Sequence, residues 1–233
     1  MSDTAPANPF DPGPEDPLPE VVDLFPLAGV LLLPGGRVPL NIFEPRYLSL
    51  IGDALGRGRL IGLVQPRDVA PADSNRGAGD PHPTLYRIGC LGRIVVFQEE
   101  EDGRFVIWLK GLARFRLGAE LPAAEGGYRR VAADFSDFRH DLAPPAPFDL
   151  DRARLIQGLD MMIRRQGARL DHKALEKLDN AELLSAVAMV APLAPNERQA
   201  LLEAPTRADL IETLMTLLEM GTFETPPPSD NRQ

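Results

Sequence analysis

The chain has 233 residues, enough to bury a real core in one large domain or two small ones. Its 44% hydrophobic and 25% charged content is that of an ordinary globular protein, and a formal charge of −9 argues against DNA as a partner, since phosphate contacts need a basic stripe. A single cysteine, Cys90, excludes an intrachain disulfide framework and fits a reducing compartment.

Residues 1–20 are acidic and Pro-rich and are expected to form a disordered tail with no apolar leader segment. No run approaches the roughly 18 apolar residues of a membrane span, so the expectation is a cytoplasmic protein with no membrane contact. The next 30 residues are the most informative. Val22-Asp23-Leu24-Phe25, closed by Pro26, and Val30-Leu31-Leu32-Leu33, closed by Pro34-Gly35-Gly36, read as buried strands. Pro39-Leu40-Asn41-Ile42-Phe43 then leads into Glu44-Pro45-Arg46-Tyr47. Pro45 suits the first turn of a helix, where its missing N–H costs nothing. That helix is predicted to turn Tyr47, Leu48, Ile51 and Leu55 inward and to end near Gly56 or Gly58.

Leu60 to Gln65 reads as a strand, and residues 66–83 as a long loop, a length that signals mobility or function. Gly92 to Gln98 and Arg104 to Leu109 flank Glu99-Glu100-Glu101-Asp102-Gly103, a hairpin with Gly103 at positive φ. Leu112 to Leu117 and Val131 to Phe135 complete half a dozen antiparallel strands with one inserted helix, which suggests a small closed barrel.

The character changes at Ala143-Pro144-Pro145-Ala146-Pro147, beyond which the pattern is helical. From Phe148 or Asp149, the residues Leu155, Ile156, Leu159, Met162 and Ile163 form one apolar face, ended by Gly167. Asn180 is read as the cap of a helix stopped by Pro192, Pro195 opens another, and Thr206-Arg207-Ala208-Asp209 resembles a capping box for a last helix reaching Gly221. The α+β architecture is therefore a β-barrel subdomain over 21–145 and a helical bundle over 146–221, with a second tail over 222–233. The short stiff linker and large apolar faces predict one compact unit.

Few residues invite chemistry. Glu44, Arg46 and Tyr47 resemble a proton-transfer group, but no second positioned group accompanies them, and the structural reading is preferred: Glu44 satisfying helix amides, Arg46 tying a turn, Tyr47 burying its ring. His82, His140 and His172 are far apart and lack ligand spacing, so no metal or other cofactor is expected. The acids at 99–102 read as a solvated turn, the methionines as core filling, and Cys90 as a buried apolar residue. No P-loop motif follows any of the three lysines, and no serine is paired with a lysine as a nucleophile requires, so no ATPase, protease or other catalytic residue is assigned.

Three ordered blocks resemble the Lon substrate-binding domain. They are Leu24-Phe25-Pro26-Leu27 through Pro39-Leu40-Asn41-Ile42-Phe43-Glu44-Pro45-Arg46-Tyr47; Tyr86 to Ile94 with Asp102-Gly103-Arg104 and Leu109 to Arg116; and Leu193 to Glu203. The resemblance spans Val21 to Met220 and implies a PUA-like antiparallel pseudo-barrel followed by helices. It further implies a free-standing, non-enzymatic module that binds unfolded or extended polypeptide segments, with a separate ATP-dependent protease as partner. Candidate binding residues are Leu33, Pro34, Phe43 and Tyr47 near the first motif and Arg114 and Phe115 near the second, with Glu44, Pro45 and Arg46 as the structural motif. The alternative is RNA or small-ligand binding by the barrel, for which Arg87, Arg93, Arg104, Arg114 and Arg116 are the available cations; the acidic balance counts against it.

Overall fold

The computed structural model describes residues 11–67 and 82–223. Most of the predicted 66–83 loop, the first ten residues and residues 224–233 lie outside the described residues. The contacts divide the chain into two units: residues up to Ala28 with Leu32–Pro145, and Gly29–Leu31 with the residues from Ala146 onward.

The first unit holds β1 (Val21–Pro26), β2 (Arg37–Ile42), α1 (Pro45–Gly56), β3 (Leu60–Val64), β4 (Ile88–Glu99), β5 (Phe105–Leu121) and β6 (Arg130–Asp134), followed by a 3₁₀ turn over Ser136–Leu142 that the sequence did not announce. The six-stranded sheet has the order β2-β5-β4-β3-β1-β6, and β5 pairs a second time, with β6. The sheet therefore curls back on itself, but it is not the plain closed antiparallel barrel expected. β1 runs parallel to β3, a pairing that needs a crossover, which the segment carrying β2 and α1 supplies. Among the described residues β2 pairs only with β5, as an edge strand.

Two expectations about strands are corrected. Val30-Leu31-Leu32-Leu33 is no strand: Gly29 and Gly35, at φ 71° and 79°, turn the backbone on either side, and Leu31, Leu32 and Leu33 are buried from irregular chain. The strand that follows is Arg37–Ile42, which accepts Pro39 because an edge strand can leave an N–H out of its ladder. The runs at 104–109 and 112–117 are one strand of 17 residues, β5. Gly111, which looks like a break, is needed for close approach: a Cβ there would lie 2.2 Å from the Leu33 carbonyl oxygen. Its N–H donates to Gly36 O at 2.9 Å while its own carbonyl accepts from Gly35 N at 3.0 Å.

The core of this unit gathers Val22, Leu24, Val64, Leu91, Leu112, Ala113, Phe115, Val131 and Phe135, with the Phe115 and Phe135 rings 5.6 Å apart. Burying Phe115 alone is worth about 1.5–3 kcal/mol. α1 buries Tyr47, Leu50, Ile51 and Ala54, whereas Leu48 and Leu55 are only half-buried, a rotation of the face from the one expected. Residues 11–20 are not the disordered tail predicted. Leu18 packs on the core, Glu20 O accepts from Ala133 N at 2.9 Å, and Arg139 Nη1 donates to Pro14 O at 2.8 Å. Prolines that cannot donate still offer carbonyls, and these find arginine.

The second unit holds α2 (Arg152–Arg165), α3 (His172–Glu176), α4 (Asn180–Val190), α5 (Pro195–Glu203) and α6 (Arg207–Phe223), the last running two residues beyond the Gly221 expected. Asp151 caps α2 by accepting from Arg154 N at 3.0 Å. The cap of α4 is Asp179, in a reciprocal box with Glu182, not Asn180. Asn180 instead donates to Phe148 O and accepts from Arg152. Thr206 and Asp209 do form the capping box read from sequence. Leu155, Leu159, Leu183, Val187, Leu201, Leu214 and Leu218 are the buried apolar centre. Arg198, its pKa lowered by burial, ties the α4–α5 turn by donating to the carbonyls of Met189, Ala191 and Leu193.

Candidate polypeptide-binding surface

The motif around Glu44 is structural. The Glu44 side chain caps no helix amide, contrary to expectation; its carboxylate holds Arg46 at 2.9 Å instead. The Arg46 guanidinium lies 4.6 Å from the centre of the Tyr47 ring, which packs 4.4 Å from Phe25. Burial raises the Tyr47 phenol above its ordinary pKa, which removes it further from proton transfer near neutrality.

The six binding candidates separate by burial. Leu33, Tyr47 and Phe115 are core side chains with no face to offer a partner. Arg114 is buried as well, its guanidinium bidentate on Asp141 at 2.8 and 2.9 Å and stacked 4.7 Å from the Phe138 ring, where it ties the 3₁₀ turn to β5. Pro34 is half-buried, and Phe43 is 65% exposed. Of the cations considered for nucleic acid, Arg93, Arg104, Arg114 and Arg116 are each ion-paired with an aspartate, at positions 11, 102, 141 and 137. Cys90 is fully buried, with its thiol pushed far above the usual range.

A different apolar surface emerges from the sheet. Beyond Arg93, β4 continues past its pairing with β3, and with the first half of β5 and with β2 it forms a three-stranded extension. The inner face is apolar and packed, with Leu40, Ile42, Ile94, Ile107 and Leu109 all buried. On the outer face, register sets Pro39 opposite Trp108 and Trp108 opposite Val96, and Trp108 and Val96 are 41% and 48% exposed. Phe43 continues the exposed set of β2, Arg37, Pro39 and Asn41, just past its end. Cross-strand neighbours stand about 5 Å apart, so Pro39, Trp108 and Val96 make one contiguous row, and Phe43 lies two outward steps farther along the β2 direction, beyond Asn41.

A bulge produces this arrangement. Ile94 pairs with Leu109 and Val96 with Trp108, so Val95 is the extra residue. Positions 93 and 96 have opposite parity, yet both face outward because the bulge shifts the phase of the strand by one. Sequence alternation alone could not show it. The available signal was the chain's one tryptophan, standing in a strand between inward residues.

A family model, the ATP-dependent protease La (LON) substrate-binding domain, matches residues 21–220. The chain belongs to the Lon substrate-binding domain family. Lon protease 2 of Myxococcus xanthus is 34% identical over 120 residues, 52% of this chain and 14% of that protein. The Lon protease of Flavobacterium johnsoniae is 25% identical over 192 residues, 79% of this chain and 22% of its own length. The chain thus spans about a fifth or less of these Lon proteases. Among solved structures, a Lon N-terminal domain protein from Xanthomonas campestris superposes with a TM-score of 0.54 at 25% identity, covering 85% of this chain and 97% of that one. The N-terminal domain of a Mycobacterium avium complex Lon protease, at 18% identity, shares the fold, with a TM-score of 0.50 and 88% and 100% of the two chains covered. The Lon substrate-binding fold is therefore the scaffold that carries the outer row of Pro39, Trp108 and Val96. Among the described residues no helix is long and apolar enough to cross a membrane, and no group of three His, Cys, Asp or Glu is placed to hold a metal ion.

Proposed function

We propose that this Lon substrate-binding domain recognises extended, apolar-bearing polypeptide segments on the outer face of the β2, β5 and β4 extension and presents them to an ATP-dependent protease. The supporting observation is the exposed row Pro39, Trp108 and Val96, with Phe43 exposed farther along the same side, on a sheet whose edge strand β2 has no second partner among the described residues. An exposed aromatic and aliphatic row supplies side-chain contacts, and an edge strand supplies backbone donors and acceptors to an added strand. The domain's part in this is capture, without chemistry of its own. RNA binding gains no support from the cations of the barrel, four of which hold aspartates.

Trp108 is the only tryptophan in the chain, so its fluorescence reports the surface directly. Titration with a reduced and alkylated model protein should shift and quench the emission saturably, with a response that persists at moderate salt. Val96→Asp should abolish it while leaving the circular dichroism unchanged. A Trp108 signal indifferent to unfolded protein would overturn this reading. A response that nuclease-treated material loses would point to nucleic acid.

A further inference from the structure

Next to the apolar row, on the same face, lies a row of cations. Register pairs Arg37 with Lys110 and Lys110 with Arg93, one step of the outer face from Pro39, Trp108 and Val96. In a chain with a formal charge of −9 and three lysines, this is a local concentration of positive charge. The chain's own Asp11 sits on it. Its Oδ2 accepts from Lys110 Nζ at 2.7 Å, and its Oδ1 lies 3.0 Å from Arg93 Nε. The carboxylate is 14% exposed and the Arg93 side chain 13%, so the pair is largely removed from water. The Lys110 contact is a charge-assisted hydrogen bond, which is the strong kind, and the Arg93 contact is an ion pair by proximity.

We propose that this face selects extended segments in which a carboxylate stands two residues from an apolar side chain, and that Asp11 occupies the carboxylate seat until such a segment displaces it. The inference rests on the polypeptide-recognition reading above and specifies the class of segment. Its geometry comes from strand spacing. Outer-face residues of one strand, such as Trp108 and Lys110, are two positions apart, roughly 6.7 Å. Side chains i and i+2 of an extended segment share that spacing and that side. Such a segment lies over the face along β5, a mode distinct from strand addition at the β2 edge, and an acid seated between Arg93 and Lys110 brings its i+2 or i−2 neighbour over Trp108. The N-terminal strap that delivers Asp11 is anchored independently, through Leu18 on the core and the Arg139 contacts to Pro14 and Asp16. Release of Asp11 thus leaves the rest of the strap in place.

The test uses the full chain, Trp108 fluorescence and two blocked peptides, Ala-Asp-Ala-Phe-Ala-Leu and its Asn counterpart. In Asp11→Asn, whose seat is vacated, the Asp peptide should bind roughly ten-fold tighter than the Asn peptide, the ratio that one charge-assisted contact supplies. In the parent chain, where the peptide's acid gains only what Asp11 gives up, the ratio should be smaller. Adding Lys110→Met to Asp11→Asn should bring the two peptides together. Equal binding of both peptides to Asp11→Asn overturns the carboxylate seat while sparing the apolar surface. Binding of neither overturns the recognition reading and this inference with it. Asp11→Ala, which vacates the seat in the same way, decides the matter if Asp11→Asn lowers the yield of folded protein.

Discussion

Replacing Asp141 by alanine tests how the first unit holds its last turn. The Asp141 carboxylate is 7% exposed and accepts three bonds from Arg114: from the backbone N–H at 3.0 Å, from Nε at 2.8 Å and from Nη2 at 2.9 Å. Alanine leaves a buried guanidinium without its counter-charge and a backbone amide without its acceptor. Breaking a buried pair from one side costs about 3–5 kcal/mol. At about 2–4 °C per kcal/mol for a chain of this size, the melting temperature should fall by roughly 6–20 °C. Urea unfolding followed at Trp108, in the same unit, measures it. The double variant Arg114→Met/Asp141→Asn removes both charges and keeps an oxygen for the amide, so it should cost less than Asp141→Ala alone. A loss below about 1 kcal/mol, the worth of an exposed ion pair, would refute the reasoning.

Gly111→Ala should cost roughly 1–3 kcal/mol, because the new methyl meets the Leu33 carbonyl and not a flexible side chain. Amide exchange should quicken first in β2, which leans on that contact, and an unchanged β2 would argue against it. Asp23 supplies a pH dependence. Burial raises its carboxyl above the ordinary value of 3.8, outweighing the opposing pull of Arg57 and Arg130. The folded state then binds more protons than the unfolded one, so stability falls as pH rises upward from 3.8 through the folded value. Asp23→Asn should be more stable than the parent at neutral pH and gain nothing below that window. A gain that is flat with pH would rule out titration as its origin.

The parts of the fold legible in the sequence are those decided locally. Pro45 at the start of α1, Gly103 at positive φ in the hairpin and the Thr206 and Asp209 box are settled within four residues of themselves. The larger misreadings are long-range, although the α4 cap, Asp179 in place of Asn180, and the missing Glu44 cap are local ones. Leu31 to Leu33 has a strand's composition but lies between two glycines in left-handed conformation, and Gly111 reads as punctuation until the chain that approaches it is known. The candidate surface was least legible of all. Leu33, Tyr47 and Phe115 resemble binding residues by type and are buried, while Trp108 and Val96 resemble core and face outward, Trp108 by the alternation of β5 and Val96 because of one inserted residue in β4.

The 17-residue β5 is bonded to β2 along Phe105–Lys110, to β4 along Phe105–Arg116 and to β6 along Arg116–Leu121. Synthesis runs from the N-terminus, so β1, β3 and β4 can associate as they emerge, while β2 waits for a partner some 65 positions downstream and β1 waits still longer for β6. The strand that would receive a client's backbone is thus itself an orphan through the first half of the chain's own production. The domain spends that interval displaying the kind of unpaired apolar strand that its finished surface is suited to hold.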